Sequence, residues 1–345
     1  MTTKESVFLS AERLAVLRQR IAQRIEPNYS AFLKLKQEAD GALDRQAEVP
    51  ETWYVPGYYR DAAGHTRQKG GLEADANAAY KLALCYQMMG DERYAQAAAS
   101  LAAAWVVGIK NLRTEDDSRL SFSYHFPALI FGESLIHGSP AWTDERRSAF
   151  ELFLCDRALA MNTMERENNW GNWGLVLVLA IAARLDRADL FAQGLARWKE
   201  FIDRQIAADG HLPHEVGRNN GMGERGIWYT HFSLMPQTLA AEILRVNGKD
   251  LGESDSSIYD YVSPQGRTLR MAYECSAPWA RDPLSFPYFK GRGPDEMRGT
   301  DYVSYYEILH PRWPNTDAAA MLAALRPLSA THSAPALTFT HGEKL

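Results

Sequence analysis

The stretch RENNWGNWG, Arg166 to Gly174, sets three asparagines, two of them adjacent, and two tryptophans directly ahead of the apolar run LVLVLAIAA. Asparagine is a poor helix-interior residue because its side chain competes for nearby backbone groups. Tryptophan is costly to expose and carries an N–H that needs a partner. Two readings fit. In one, Asn168 and Asn169 cap a helix that begins near Trp170. In the other, a carboxamide is aimed at a substrate carboxylate while Trp170 and Trp173 frame a sugar subsite. A neutral donor holds a carboxylate without the desolvation cost of a second buried charge.

A second segment, DGHLPHEVGR, runs from Asp209 to Arg218. Asp209-Gly210 ends a helix, and Pro213 then excludes a regular helix across His211 and His214. That removes the rigid helical spacing that zinc-binding histidine pairs use, so no metal is expected. The imidazole of His214 and the guanidinium of Arg218 suit anion recognition, or else belong to an ordinary solvated loop. In a third segment, ERGIWYTHFSL, a helix would put Arg225, Tyr229 and Phe232 on one face. An arginine beside Tyr229 would lower the phenol pKa toward use as a base; alternatively Tyr229 is a half-buried core tyrosine. The loop Trp53 to Tyr59, with Tyr58 and Tyr59, and the segment SFSYHFP, with Tyr124 and His125, supply further groove aromatics. His125 reads equally as a satisfied core histidine.

The elements that must carry these residues are helical. SAERLAVLRQRIAQRI opens on Ser10 as an N-cap and spaces its apolar residues at three and four. YSAFLKLKQEADGAL repeats the pattern, and VPETWYVPGYYRDAAGH breaks it with two prolines and two glycines. Two helices then join at Gly90-Asp91, and further helices are expected over 123–137, 143–163, 170–184, 188–207 and 225–246. Recurring helix–short turn–helix units predict stacked hairpins or a closed α/α toroid in a single all-α domain, 1–345. Beyond about 250 long ordered loops are expected, and SATHSAPALTFTHGEKL, the last 17 residues, reads as a loose tail.

A net charge of −5 argues against a bulk nucleic-acid binder, yet a polyanionic sugar needs only a locally basic groove. Cys85, Cys155 and Cys275 lie far apart and read as reduced core residues. The first 21 residues lack an apolar signal core, and no run approaches a membrane span. The chain as written is expected in the cytoplasm, or in the periplasm or medium if a signal has been removed.

The order PGYY, ADANAAYKLALCYQMMGDERYAQAAASLAAAW, ENNWGNW and DGHLPHE…R…Y resembles the alginate lyase superfamily, over roughly residues 50 to 246. Its polysaccharide lyase families 5 and 38 are α/α-barrel enzymes. The resemblance implies a lyase that cleaves β-1,4-linked uronate polymers, polymannuronate or glucuronan, by β-elimination, with no cofactor. It matches Asn169 to the asparagine that binds the uronate carboxylate, Arg218 to the arginine after the DG.LP.E pattern, and Tyr229 to the catalytic tyrosine. Family 5 has Asn-Asn-His where this chain has Trp170, and His214 is the natural substitute. Asn168, Trp170, Trp173, Arg225, Tyr124, His125, Tyr58 and Tyr59 are then expected to contact substrate. The alternatives are a glycoside hydrolase on the same toroid, using Glu215 and Asp75, or a non-catalytic helical carbohydrate-binding protein. The expected partner is an acidic polysaccharide, with no nucleic acid and no membrane.

Overall fold

A computed structural model describes residues 6–218, 225–248, 255–290, 302–330 and 332–345. The apolar periodicity becomes helix almost throughout: α1 (Ala11–Ala22), α2 (Asn28–Asp40), α3 (Ala62–Met89), α4 (Glu92–Gly108), α5 (Ser118–His125), α6 (Pro127–Ile136), α7 (Asp144–Phe153), α8 (Asn169–Arg184), α9 (Ala188–Gln205), α10 (Pro213–Val216) and α11 (Gly226–Asn247). Helices α12 (Asp255–Tyr259), α13 (Leu269–Arg281), α14 (Tyr306–Leu309), α15 (Thr316–Leu325) and α16 (Leu337–His341) follow. Two two-residue strands, β1 (Thr52–Trp53) and β2 (Asn111–Leu112), pair in parallel.

The local causes are those in the sequence. Ser10 accepts from the Arg13 N–H to start α1. Gly90, at φ +70°, closes α3 in the left-handed region, and Asp91 opens α4. The helices pack as hairpins of a toroid, α3 against α4 and α6, and α8 against α9 and α11. Helices α8 and α11 are buried on nearly every side, whereas α9 keeps one solvent face. The helix expected over 123–137 is divided at Phe126, where Pro127 starts α6. The one expected over 143–163 ends in a π turn, Leu154–Ala158, and a short 3₁₀ turn.

Three expectations need correction. The aromatic loop ends early, because the Asp61 carboxylate accepts the Gly64 N–H and starts α3 at Ala62. Cys155 is exposed, so it is no core residue. The tail is not loose. Leu337 and Phe339 are buried, Arg13 donates to the Thr340 carbonyl at 2.6 Å, and Glu343 pairs with Arg13 and Arg20. The apolar run PALTF was the signal that the segment would be buried.

Two glycines let α8 start where it does. A Cβ on Gly171 would run into the Arg166 carbonyl and one on Gly174 into the backbone of Thr163 and Met164. Backbone cannot yield as a flexible side chain can. Gly174→Ala is therefore expected to destabilise the protein by about 1–3 kcal/mol, the usual cost of overpacking. Equilibrium urea unfolding checks this, and an unchanged midpoint would contradict it.

Candidate active site

The two asparagines of the pair take different places, one capping the helix and the other reaching a cavity. Asn168 is the N-cap of α8, and its Oδ1 accepts the Trp170 N–H at 3.1 Å. Asn169 begins the helix and lines a cavity of about 530 Å³. That volume lies in the range of small-ligand sites. Asn168 is thus a capping residue and not among the lining residues.

Tyr58, Tyr59, Tyr124, Trp170, Arg218, Arg225 and Tyr229 meet Asn169 around the same cavity. Trp228 and Phe232 of α11 line it too, so the three-and-four spacing of Arg225, Tyr229 and Phe232 places one helix face on it. The Tyr229 hydroxyl lies 2.6 Å from that of Tyr59. The Arg218 guanidinium sits over the Tyr229 ring at 4.4 Å, and Arg225 lies over the Tyr58 and Tyr59 rings at 5.7 and 5.5 Å. The loop carrying Tyr58 and Tyr59 is tied to the start of α5. Val55 donates to Ser118 Oγ at 2.9 Å and the Tyr58 N–H to Asp117 Oδ2 at 2.8 Å.

Asn169 and Arg218 are joined by Glu215, which is buried on α10. Its carboxylate accepts the Asn169 backbone N–H at 3.1 Å, Asn169 Nδ2 at 3.3 Å and Ser233 Oγ at 3.1 Å. Arg218 Nε donates to the other oxygen at 3.0 Å. The N-terminus of α8 therefore has its anion from within the chain. Asp75, the second hydrolase candidate, is also committed, accepting from Arg45, the Glu48 N–H and Trp105 Nε1. Neither carboxylate is left for acid catalysis of hydrolysis.

Other expected contacts fall elsewhere. Trp173 is wholly buried beneath the cavity, ringed by Tyr124, Phe232 and His332. Trp53 is likewise core, donating to the Ser118 carbonyl at 2.9 Å. His125 is buried behind Tyr124, with Nε2 at 3.5 Å from Glu73. His214 is exposed and absent from the lining, because Pro213 starts a helical turn whose buried face carries Glu215 and Val216 instead. It does not stand in for the family histidine. His211 pairs with Asp209 at 2.5 Å, also away from the cavity.

The cavity also holds residues the sequence did not single out: His65, Lys69, Glu73, Asp117, Tyr302 and His332. Lys69 pairs with Glu73 along α3, and His65 Nδ1 lies 3.2 Å from Asp117. His332 packs at tilted angles among Tyr124, His125 and Tyr302, and burial holds its pKa well below the usual value, so it is neutral. Ser333 beside it has φ 51°, a rare left-handed residue in a buried turn.

The expected lowering of the Tyr229 pKa is also corrected. Burial raises it above the ordinary 10.0, the Tyr59 hydroxyl adds to the rise, and Arg218 and Arg225 only partly oppose it. Tyr124 is raised as well, by burial. No grouping of histidine, cysteine and carboxylates suited to a metal ion occurs among the described residues. Activity is expected to survive exhaustive dialysis against EDTA; loss with recovery on adding zinc or calcium would contradict this.

Residues 23–286 match the family profile described as Alginate lyase. A protein of Stenotrophomonas maltophilia named polysaccharide lyase is 26% identical over 76% of this chain and 80% of its own length. An alginate lyase structure from Bacteroides ovatus superposes with a TM-score of 0.75 at 19% identity, covering 98% of this chain and 99% of its own. Alginate lyase A1-III from a Sphingomonas species superposes with a TM-score of 0.76 at 16% identity, covering 99% and 97%. Among the described residues, no helix is long and apolar enough to cross a membrane.

Proposed function

Because the chain belongs to the alginate lyase family, we propose that this polysaccharide lyase cleaves β-1,4-linked mannuronate or glucuronate polymers by β-elimination, with Tyr229 carrying the proton. The observation that carries the reading is the convergence of Asn169, Arg218 and Tyr229 on one cavity, although they lie on three separate helices and turns.

The C5 proton of a uronate is weakly acidic, since the adjacent carboxylate resists the added charge of a carbanion. Donors aimed at the carboxylate stabilise the aci-carboxylate that develops. Asn169 supplies a neutral N–H and Arg218 a fixed positive charge, with Arg225 nearby. In mannuronate and glucuronate the C5 hydrogen and the C4 oxygen lie on the same ring face. One group can therefore take the first proton and return it to the departing oxygen, and in this reading Tyr229 does both. Its protonated resting form suits the second step. For the first step it must lose its proton, a change that Arg218 and Arg225 favour. Trp170 and Tyr59 offer ring faces for sugar stacking.

The pKa direction gives a pH prediction. With the phenol raised above 10.0, the deprotonated fraction of free enzyme grows about tenfold per pH unit through neutrality. Accordingly kcat/KM is expected to rise with pH from 6 to 9 without a plateau. A flat profile across that range would remove phenolate formation from the rate.

The reading is tested by an ultraviolet elimination assay on polymannuronate, polyguluronate, glucuronan and hyaluronan in parallel. Turnover of polymannuronate or glucuronan is expected. Activity confined to polyguluronate, whose C5 hydrogen lies on the opposite face, would contradict the single-tyrosine scheme.

A further inference from the structure

The contacts of Glu215 reach past its neighbours to the substrate, and the inference rests on the uronate reading above. A carboxylate can only accept hydrogen bonds, whereas a carboxamide has one donor edge and one acceptor edge. With Asn169 Nδ2 at 3.3 Å from both Glu215 oxygens, the carboxamide has one orientation. Turned over, its Oδ1 would face two negatively charged oxygens. The orientation leaves one Nδ2–H and Oδ1 for other partners, and Oδ1 is buried with no protein donor among the described residues. The same carboxylate holds Arg218 by Nε, which leaves the guanidinium's terminal N–H groups to point elsewhere. Ser233 steadies Glu215 and is itself held by Asn172 Nδ2 at 3.0 Å.

We infer that Glu215 is a positioning residue: it fixes which edge of the Asn169 carboxamide the sugar meets and aims Arg218 at the same carboxylate. A corollary concerns the substrate. Asn169 offers a donor and an acceptor side by side, which matches a carboxylate oxygen next to a group bearing a hydrogen. That group is a ring hydroxyl, or the O–H of a protonated aci-carboxylate.

The test is a double-mutant cycle of Glu215→Gln and Asn169→Ala, read as kcat and KM on the uronan the wild type prefers. Glutamine keeps the volume but presents its own donor to Asn169 and loses the charge that holds Arg218. Misplacement of this kind is expected to lower kcat about 10²-fold in the wild-type background. In the Asn169→Ala background the further loss should shrink to about tenfold or less, because one of the two groups being aimed is gone and only Arg218 is left to misplace. Equal losses in both backgrounds would overturn the inference, since a merely structural role costs the same in each. If Glu215→Gln does not fold, Ser233→Ala replaces it, removing one donor to the same carboxylate. A loss of about threefold or more that shrinks in the Asn169→Ala background is then expected, and an additive pair would overturn the role. Wild-type inactivity on every uronan is a separate result, and it defeats the uronate reading itself.

Discussion

Tyr229→Phe is expected to lower turnover by about 10²–10⁴-fold, the contribution of a general acid–base group. The substitution keeps the ring, so the contacts with Trp228, Phe232 and the Arg218 guanidinium persist. Only the hydroxyl and its 2.6 Å contact with Tyr59 are removed. The fold should therefore survive, and KM should change little because the proposed carboxylate donors, Asn169 and Arg218, are untouched. Steady-state kinetics with circular dichroism on the same preparations checks both halves. A folded variant with near-normal elimination would move the proton-transfer role to another cavity residue, with Tyr124 and the neutral His332 the first to examine.

Asn169→Ala carries the second largest effect. In the proposed mechanism its N–H serves the ground-state carboxylate and, more strongly, the aci-carboxylate, so both KM and kcat should worsen. Removing one such donor costs about 10²–10³-fold in kcat. The change also leaves Glu215 with fewer donors, so some stability is lost with it. Unfolding measurements separate the two effects, since a stability loss alone leaves the kcat of folded enzyme intact. A raised KM with unchanged kcat would show uniform binding and contradict a role in the transition state.

The helices and several polar residues that line the cavity were legible in the sequence because each depends on local features. The cap at Ser10, the break at Gly90-Asp91 and the shared face of Arg225, Tyr229 and Phe232 all follow from periods of three and four. Asn169 and Arg218 stood out because their residue types are unusual at a buried helix start and in a proline-broken loop. What failed depends on the third dimension. Which of two adjacent asparagines caps and which faces the cavity is set by Glu215, forty-six positions away. His214 and Glu215 are neighbours on one short turn, and only packing decides that the carboxylate turns inward. His332 reaches the cavity from the end of the chain, a distance no spacing rule spans. The Tyr229 pKa goes the other way from the pairwise expectation because burial outweighs two arginines.

Elimination and hydrolysis both make a new reducing end, but only elimination makes a carbon–carbon double bond between C4 and C5. The most direct measurement is therefore the ratio of ultraviolet-absorbing ends to new reducing ends when wild-type enzyme degrades its preferred uronan. The mechanism centred on Tyr229, Asn169 and Arg218 predicts one unsaturated end for every new reducing end. New reducing ends without ultraviolet absorbance would mean that water, not a departing proton, completes the cleavage, and would contradict it.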